Sequence, residues 1–535
     1  MKFPPLHWLR SRTYRAGIVV SWAANAAVKF LSFGTSLVIA YFYGAGEETD
    51  VYFYTVNCLL ILAGFFHGIN KAVLIPEAIR LSAQESEERA RAFLNVFLYG
   101  VAGAAAVGTL LLLISPVRAF RALSRFDAGL IESHRPLFVA AALVLFFRVT
   151  AQYLTDILQS RKFFVLPNLL EGVNALLVIG AVLLFRNTLG LTGALYGLLA
   201  GFVLQCLALA ALMRRSLGWR FAPRRVRIGR GVWRDLGLVQ IEGGLLAVSS
   251  YLPLWLLSGF GQGVIAALNY ALRISQLPFF FLTNQFVAVA GIKFNELYAQ
   301  RKWKDLDQVF RASADFLVFL LLPFSGFMFL FSKEAVAVLL GRGRFDAASV
   351  AVTAELLRYL SLLPWLRAVQ VAVTRLFKAG RRVAPFQIVA AIHHLLQIAL
   401  IVTAIRWLGY VGFPLARLTG GLIYVAALAP IALRRFFPMV RFREHLKRTG
   451  LVLATNAGIC VPIAILQAVW THGDLSLLIL STALYGGALL ALNHFARLNT
   501  EARELAVTLG RRIRGRSRAD GPDPDKTQGT DRTDP

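Results

Sequence analysis

Charge is what this chain has least of: Asp, Glu, Lys and Arg make up 16% of its 535 residues, against about 25% in soluble domains. So few ionised groups could not cover a composition that is 57% hydrophobic, which excludes a soluble fold of several domains. The same composition excludes a disordered chain. Acid is scarcer than base, with 29 Asp and Glu against 57 Lys and Arg and a net charge of +28. The only cysteines, Cys58, Cys206 and Cys460, each sit inside an apolar stretch. They offer neither a disulfide framework nor a metal-ligand spacing, and with no HExxH and no Cys/His cluster no metal site is expected. The sequence has no GxxxxGK[ST] loop, which excludes an ATPase of that type. The longest external loop, from Pro116 to Arg135, has about 20 residues and leaves little room for a catalytic surface. The chain therefore reads as a transporter, not an enzyme, with no catalytic residues and no cofactor.

What is present is apolar length. A spanning helix needs about 20 mostly apolar residues. That window predicts an all-α polytopic membrane protein with fourteen spans, near 17–43, 51–75, 92–115, 136–159, 165–185, 190–213, 233–257, 263–290, 308–332, 348–374, 383–405, 411–433, 450–470 and 474–496. The N-terminal segment 1–16 precedes an N-lobe of six spans over 17–213. A basic linker, 214–232, leads to a C-lobe of six spans over 233–433. A second basic linker, 434–449, leads to two appended spans over 450–496 and a tail, 497–535. From about residue 511 the tail is polar and rich in Gly, Pro and Asp, and is read as disordered.

With the N-terminus in the cytoplasm, alternation places most of the 57 Lys and Arg in cytoplasmic segments, as the positive-inside rule requires. Both termini are then cytoplasmic, and the first span, preceded by Lys2, Arg10, Arg12 and Arg15, reads as a retained signal anchor. The +28 is read as this topological signal and as attraction to anionic lipid, not as a nucleic-acid footprint.

An internal repeat organises the spans. Arg125-Phe126-Asp127-Ala128 recurs as Arg344-Phe345-Asp346-Ala347, 219 residues later, each copy just before a span. YGAGEETDVYFY from Tyr43 pairs loosely with SGFGQGVIAALNY from Ser258, and ILQSRKFFVLP from Ile157 with LFKAGRRVAP from Leu376. Six spans per repeat send both halves into the membrane in the same sense. Such halves relate by an axis along the membrane normal, with the substrate path between them.

Ionisable and amide groups inside spans point to that path, because they are costly in hydrocarbon unless they face a cavity or a partner. Asn25, Lys29, Ser32 and Ser36 share one face of the first span at 100° per residue. Asn269, Arg273, Gln276 and Asn284 form a second stripe in the eighth. Arg148 and Arg367 are repeat-equivalent in the fourth and tenth spans. Arg358 lies nine residues before Arg367, half a turn out of phase, with Pro364 between them as a kink site. These basic groups suit an anionic phosphate or diphosphate. Each could instead pair with an internal carboxylate, such as Asp156, Glu171, Glu242 or Glu355. Glu242, His393 and His394 are the candidates for relaying protons or holding a cation; adjacent on one helix, the two histidines are expected to face different ways. Arg417 and Lys71 are read as snorkelling near span ends.

The stretch FYGAGEETDVYFY from Phe42 resembles the FGAG-x-x-TD signature of MurJ/MviN-type lipid II flippases. ILQSRKFFVLPNLLEGVN from Ile157, NYALRISQLP from Asn269 and GRGRFDA from Gly341 are similar to further stretches of that family, over roughly 15–495. The family sits within the multidrug/oligosaccharidyl-lipid/polysaccharide (MOP) exporter superfamily. The resemblance implies two six-helix lobes, a central cationic cavity, two further helices forming a groove for a lipid tail, and alternating access driven by membrane potential or a Na+ or H+ gradient. It places Arg273 on the family's eighth-span arginine, Asp50 on the TD aspartate as a gate or structural residue, and Lys29 on a basic first-span position. The family's Arg-Asp pair of the first span falls on Thr35 and Ser36 and its second-span arginine near Ala63, so those ligands differ here; the family's eleventh-span Asn falls on Gln397. The expected activity is outward movement of a polyprenyl-diphosphate-linked saccharide across a bacterial inner membrane. Lipid II, an exopolysaccharide unit and an O-antigen unit all stay open as cargo. The expected partners are that lipid, membrane lipids and glycan-synthesis enzymes. An ion-coupled drug exporter and a non-transporting scaffold are the alternative classes.

Overall fold

The computed structural model describes residues 14–161, 163, 165–222, 226–261, 263–470 and 473–496. The start of the N-terminal segment and the tail from 497 lie outside the described residues, as do the side chains of Asn25 and Asn284. All regular structure among the described residues is helical. In chain order the helices are α1 Tyr14–Tyr43, α2 Glu47–Ile69, α3 Ile75–Gln84, α4 Glu87–Ile114, α5 Pro116–Leu123, α6 Ala128–Ser133, α7 Arg135–Ser160, α8 Val165–Phe185, α9 Leu191–Leu217 and α10 Arg230–Leu257. They continue as α11 Val264–Pro278, α12 Asn284–Ala299, α13 Trp303–Leu330, α14 Ser332–Leu340, α15 Ala347–Leu360, α16 Leu363–Ala379, α17 Val383–Leu408, α18 Gly412–Ile423, α19 Ala429–Phe436, α20 Phe442–Val469 and α21 Asp474–Ala496.

Among the described residues, twelve segments are long and apolar enough to cross a membrane, where the sequence predicts fourteen. Two features account for the difference. Val383–Phe436 is continuous over 54 residues, which as one straight helix would run about 80 Å, more than twice a ~30 Å hydrocarbon core. It is interrupted by the tight turn Gly409–Val411, and α17 and α18 pack against each other on either side of it. The 28-residue α10 carries Arg230, Arg234, Asp235, Gln240 and Glu242 in its first half, which leaves it short of a fully apolar span.

Local chemistry sets the boundaries. The Ser86 hydroxyl accepts the Arg89 N–H at 3.1 Å and starts α4. Both repeat copies do the same with their aspartates: Asp127 accepts the Gly129 N–H and Asp346 the Ser349 N–H, each at 2.8 Å. Gly218, at φ +57°, closes α9 in a left-handed conformation that a side chain would resist. Three wide π-type turns, Asn70–Leu74, Phe279–Thr283 and Tyr424–Leu428, interrupt α2–α3, α11–α12 and α18–α19. The second follows Pro278, which has no N–H to donate. Near Pro364 the helix breaks at Ser361–Leu362, so the expected kink is realised as a separation into α15 and α16.

Helices α7, α8 and α9 pack closely together, with α1 on α8 and α4 on α7, while α13 packs on α16 and α20. Helix α2 packs on α7 but also on α10 and α11, and so forms the seam between the two sets. Around this bundle large apolar side chains point outward: Trp407 is 82% exposed, Ile114 79% and Leu184 77%. An aqueous protein does not present such a belt, whereas acyl chains solvate it.

Candidate functional site

One end of the bundle is tied shut by main-chain contacts between segments far apart in sequence. Asp50, on the first turn of α2 and only 2% exposed, receives the Gly263 N–H at 2.7 Å on one carboxylate oxygen and the Ala266 N–H at 2.8 Å on the other. It therefore caps α11 from another helix, where the helix dipole favours an anion. The Tyr270 hydroxyl donates to the Gly44 carbonyl at 3.1 Å, the Arg344 N–H to the Tyr41 carbonyl at 2.9 Å, and the Arg125 N–H to the Ser258 hydroxyl at 2.8 Å. The hydroxyls of Tyr54 and Tyr251 both donate to the Leu123 carbonyl. Gly44 and Gly263, at φ +66° and +87°, allow this close approach, since a Cβ would run into the Arg344 and Ala45 carbonyls. The first two of the three repeat matches thus assemble into one closure. At its rim Ser349 holds the Asp346 carboxyl below its usual range by hydroxyl and N–H bonds.

Beneath this closure lies a cavity of about 390 Å³. Asn57, ten residues into α2, lies about 15 Å from the capped end, midway through a ~30 Å core. The cavity is bounded by α2, α10, α11, the α15–α16 break, α17 and α18. Its polar lining comprises Asn57, Ser249, Ser250, Asn269, Ser275, Gln276, Arg367, Gln370, His393, His394, Gln397 and Arg417. Among the described residues, no Asp or Glu lines it. Asn57 donates to Asn269 at 3.1 Å and to the Phe53 carbonyl at 2.8 Å, pinning α2 to α11 across the seam.

The sequence-derived candidates divide. Asn269, Gln276, Arg367, His393 and Gln397 line the cavity; Arg367 does so with its guanidinium over the Phe279 ring, 4.8 Å from its centre. The others do not. Lys29 lies over the Phe280 ring at 5.3 Å, and Phe30 stacks on Phe281 beside it. Arg273 donates to the Ser32 carbonyl at 3.0 Å. These contacts join α1 to α11 and the turn after it, and Lys29, Arg273 and Ser32 are not among the residues that line the cavity of about 390 Å³. Ser36 is buried and turns its hydroxyl back to the Ser32 carbonyl. Arg148 sits over Phe202 at 5.0 Å with its Nε buried and without a hydrogen-bond partner, and it does not line the cavity. Arg358 is exposed over Phe329, on the far side of the helix break from Arg367. Glu242 faces Gln387 and Lys378 and does not line the cavity. Asp156 is committed to His67 at 2.8 Å, with Asn70 and Gln152 also donating to it.

Sequence reasoning missed two ionisable contributors, besides the polar Asn57, Ser249, Ser250, Ser275 and Gln370. Arg417, read as a snorkelling residue, lines the cavity within coulombic reach of Arg367 and of both histidines. His394, expected to face away from His393, also lines the cavity, because the hollow wraps around α17; the two rings are 5.9 Å apart. The excess of Arg over acid in the 358–417 region was the signal for the first. Thr35 and Ala63, where the resembled family carries charged groups, are respectively hydrogen-bonded to the Leu31 carbonyl and packed in the core.

A helical bundle belted in apolar side chains, closed at one end over a mid-depth cavity with basic lining, has the helical architecture of solved transporters of the MOP superfamily. Multidrug MATE transporters of that superfamily share the fold: an inward-facing one superposes at TM-score 0.57, with 16% identity over 82% of this chain and 99% of that one. A solved lipid II flippase MurJ in an inward closed conformation superposes at TM-score 0.75, with 15% identity over 90% of this chain and 99% of the other. The chain belongs to the lipid II flippase MurJ family, whose family model matches residues 39–483. Among curated relatives, a probable lipid II flippase MurJ of Rhizobium meliloti is 30% identical over 31% of each chain. One from Bdellovibrio bacteriovorus is 22% identical over 51% of this chain and 52% of its own. The chain thus aligns with about a third to a half of the length of these relatives.

Proposed function

We propose that the protein moves a polyprenyl-diphosphate-linked saccharide from the inner to the outer leaflet of a bacterial inner membrane, with the peptidoglycan precursor lipid II as first candidate cargo. The observation that carries this reading is the cavity at mid-depth, whose ionisable lining is basic throughout, in a chain of the MurJ family. A diphosphate in hydrocarbon costs many kcal/mol as an unpaired charge, whereas a wet, positively lined hollow replaces part of its hydration. The same lining repels cationic drugs, which argues against the multidrug reading. The capped end faces outward in the orientation set by the Lys and Arg distribution, and both termini lie in the cytoplasm. The headgroup reaches the cavity from the opposite end, and breaking the Asp50 and Tyr270 contacts opens the outward path. The polyprenyl chain stays in lipid. Coupling to a Na+ or H+ gradient or to the membrane potential drives the cycle, and glycan-synthesis enzymes are natural neighbours. An exopolysaccharide or O-antigen unit would use the same diphosphate chemistry.

Depletion in the native host tests this. Lipid-linked precursor should accumulate with its sugar unlabelled by a membrane-impermeant reagent applied from outside, and re-expression should restore labelling. Unchanged labelling on depletion would overturn the proposal.

A further inference from the structure

The outward closure is built twice. In each half the Arg-Phe-Asp-Ala loop leans on a tyrosine of that half's second helix: Phe126 meets Tyr54 of α2 edge-on at 5.2 Å, and Phe345 meets Tyr270 of α11 edge-on at 5.5 Å. Tyr54 and Tyr270 are themselves repeat partners, 216 residues apart. Each loop then crosses the seam to the end of the other half's leading helix. The Arg125 N–H donates to the Ser258 hydroxyl at 2.8 Å, just past α10, and the Arg344 N–H to the Tyr41 carbonyl at 2.9 Å, in the last turn of α1. A tyrosine hydroxyl reinforces each crossing. Tyr251 of α10 donates to the Leu123 carbonyl beside the first loop, and Tyr270 to the Gly44 carbonyl at 3.1 Å.

The closest approach is also made by a repeat pair. Gly44 and Gly259, 215 residues apart, follow α1 and α10. A Cβ on Gly259 would lie 3.4 Å from the Arg125 Cβ, and one on Gly44 would lie 3.7 Å from the Arg344 Cβ. The Arg125 guanidinium lies over the Trp255 ring, 5.3 Å from its centre, and Arg344 is in coulombic reach of Tyr43. Each arginine thus stands at the carbonyl end of the other half's leading helix, where the helix dipole favours a cation and the last carbonyls need donors. The aspartate and phenylalanine of the motif act within their own half, as helix cap and ring contact. The arginine acts across the seam. Asp50 has no acidic counterpart among residues 265–269, so its cap on α11 adds to this pair and is not repeated in it.

We propose that Arg125 with Gly259 and Arg344 with Gly44 are the two members of a double latch, and that the outward path opens only when both part. The two contacts tie different segments, α10 to the first half and α1 to the second, so either one left intact still joins the halves over the cavity. What passes the gate rests on the flippase reading; the latch itself rests on these contacts.

A reversible cross-link tests this. Arg125→Cys with Gly259→Cys, in a full chain with Cys58, Cys206 and Cys460 replaced, should form a disulfide on oxidation, since 3.4 Å is close to the ~3.5–4.5 Å between Cβ atoms in such bonds. Ser250→Cys in the same chain reports the cavity. A membrane-impermeant maleimide is applied to whole cells, and its attachment is read on the peptide that carries position 250. Cross-linking should slow that labelling at least tenfold, and reduction should restore it. Tyr270→Phe loosens only the second latch. It should speed labelling about 2- to 10-fold in the reduced protein, the range for one neutral hydrogen bond, and not at all in the cross-linked one. Ser258→Ala should act like Tyr270→Phe in the reduced protein, and the two together should multiply. A cross-link that does not form, equal labelling with and without it, or faster labelling by Tyr270→Phe through it would overturn the double latch. Should the cysteine pair not fold, Ser258→Ala and Tyr270→Phe decide: multiplied rates support the latch, and parent-like rates in either refute it. Labelling needs no cargo, so the two readings fail separately. If the cross-linked protein moves lipid-linked saccharide in vesicles as fast as the reduced one, the latch is wrong and the flippase stands. If labelling obeys the latch but no lipid moves, the latch stands and the flippase reading falls.

Discussion

Replacing Asp50 by alanine should open the capped end. The carboxylate receives two N–H bonds, at 2.7 and 2.8 Å, from the first turn of α11, and both are buried. Removing it leaves two N–H groups without a partner, at about 1–3 kcal/mol each. The summed loss, about 2–6 kcal/mol, falls on the closed arrangement, because these bonds exist only while α2 and α11 touch. At 1.4 kcal/mol per tenfold, the open-to-closed ratio should rise by about 30-fold to about 20,000-fold. Asp50→Asn keeps one acceptor oxygen and should lose roughly half as much. The assay is labelling of a cysteine placed at Ser250, in a background with Cys58, Cys206 and Cys460 replaced, by a membrane-impermeant maleimide applied to whole cells. The parent should label slowly, Asp50→Asn faster and Asp50→Ala fastest. Equal labelling of all three, with equal melting temperatures, would refute the idea that this cap holds the closure.

Other substitutions test other parts of the account. Arg358→Gln should leave transport and diphosphate binding within about twofold, since this side chain is exposed over Phe329; a severalfold loss in a vesicle transport assay would return it to the pathway. Asp315→Asn should destabilise the protein by about 3–5 kcal/mol, because His445, fully buried at 2.5 Å from that carboxylate, and Arg448 lose their partner together; thermal unfolding in detergent reads this. Gly420→Ala should cost about 1–3 kcal/mol, as the new methyl would occupy the space of the Gln397 amide, and a melting temperature equal to the parent's would show that the α17–α18 contact is loose. Asp346→Ala should cost about 1 kcal/mol through loss of the α15 cap. Because the folded carboxyl is held below its usual range, that contribution is present above the ordinary carboxylate range and is lost as pH falls through the folded value. Parent and variant should therefore converge in melting temperature at acid pH, below the ordinary carboxylate range.

The sequence made the helices and their class legible because length and hydropathy alone decide what can lie in a bilayer. The repeat was legible for a more specific reason: its aspartates cap helices, Asp127 on α6 and Asp346 on α15, so the same four residues recur where the same local problem recurs. The site was only partly legible. Periodicity tells which residues share a face, as with Asn269, Arg273 and Gln276, but it does not tell which helix that face meets. In the folded chain Asn269 and Gln276 line the cavity, while Arg273 turns to the α1 carbonyl of Ser32. Arg358 and Arg367 are separated by a helix break that a count of residues per turn does not carry. Arg417 was hidden by its nearness to a span end. Only the turn at Gly409–Val411, with α18 running back along α17, brings it level with His393 and His394. That 12 segments qualify as spans where fourteen are read from sequence comes from the same turn and from the charges early in α10.

The most direct test of the central claim is movement of the lipid itself. The purified full chain is placed in vesicles loaded with a fluorescent polyprenyl-diphosphate saccharide, and the label reachable by an external quencher is followed with time. The account predicts protein-dependent transfer between leaflets that falls at least tenfold in the Arg367→Gln, Arg417→Gln double variant. Transfer no faster than in protein-free vesicles, under conditions where the parent binds the diphosphate, would contradict it.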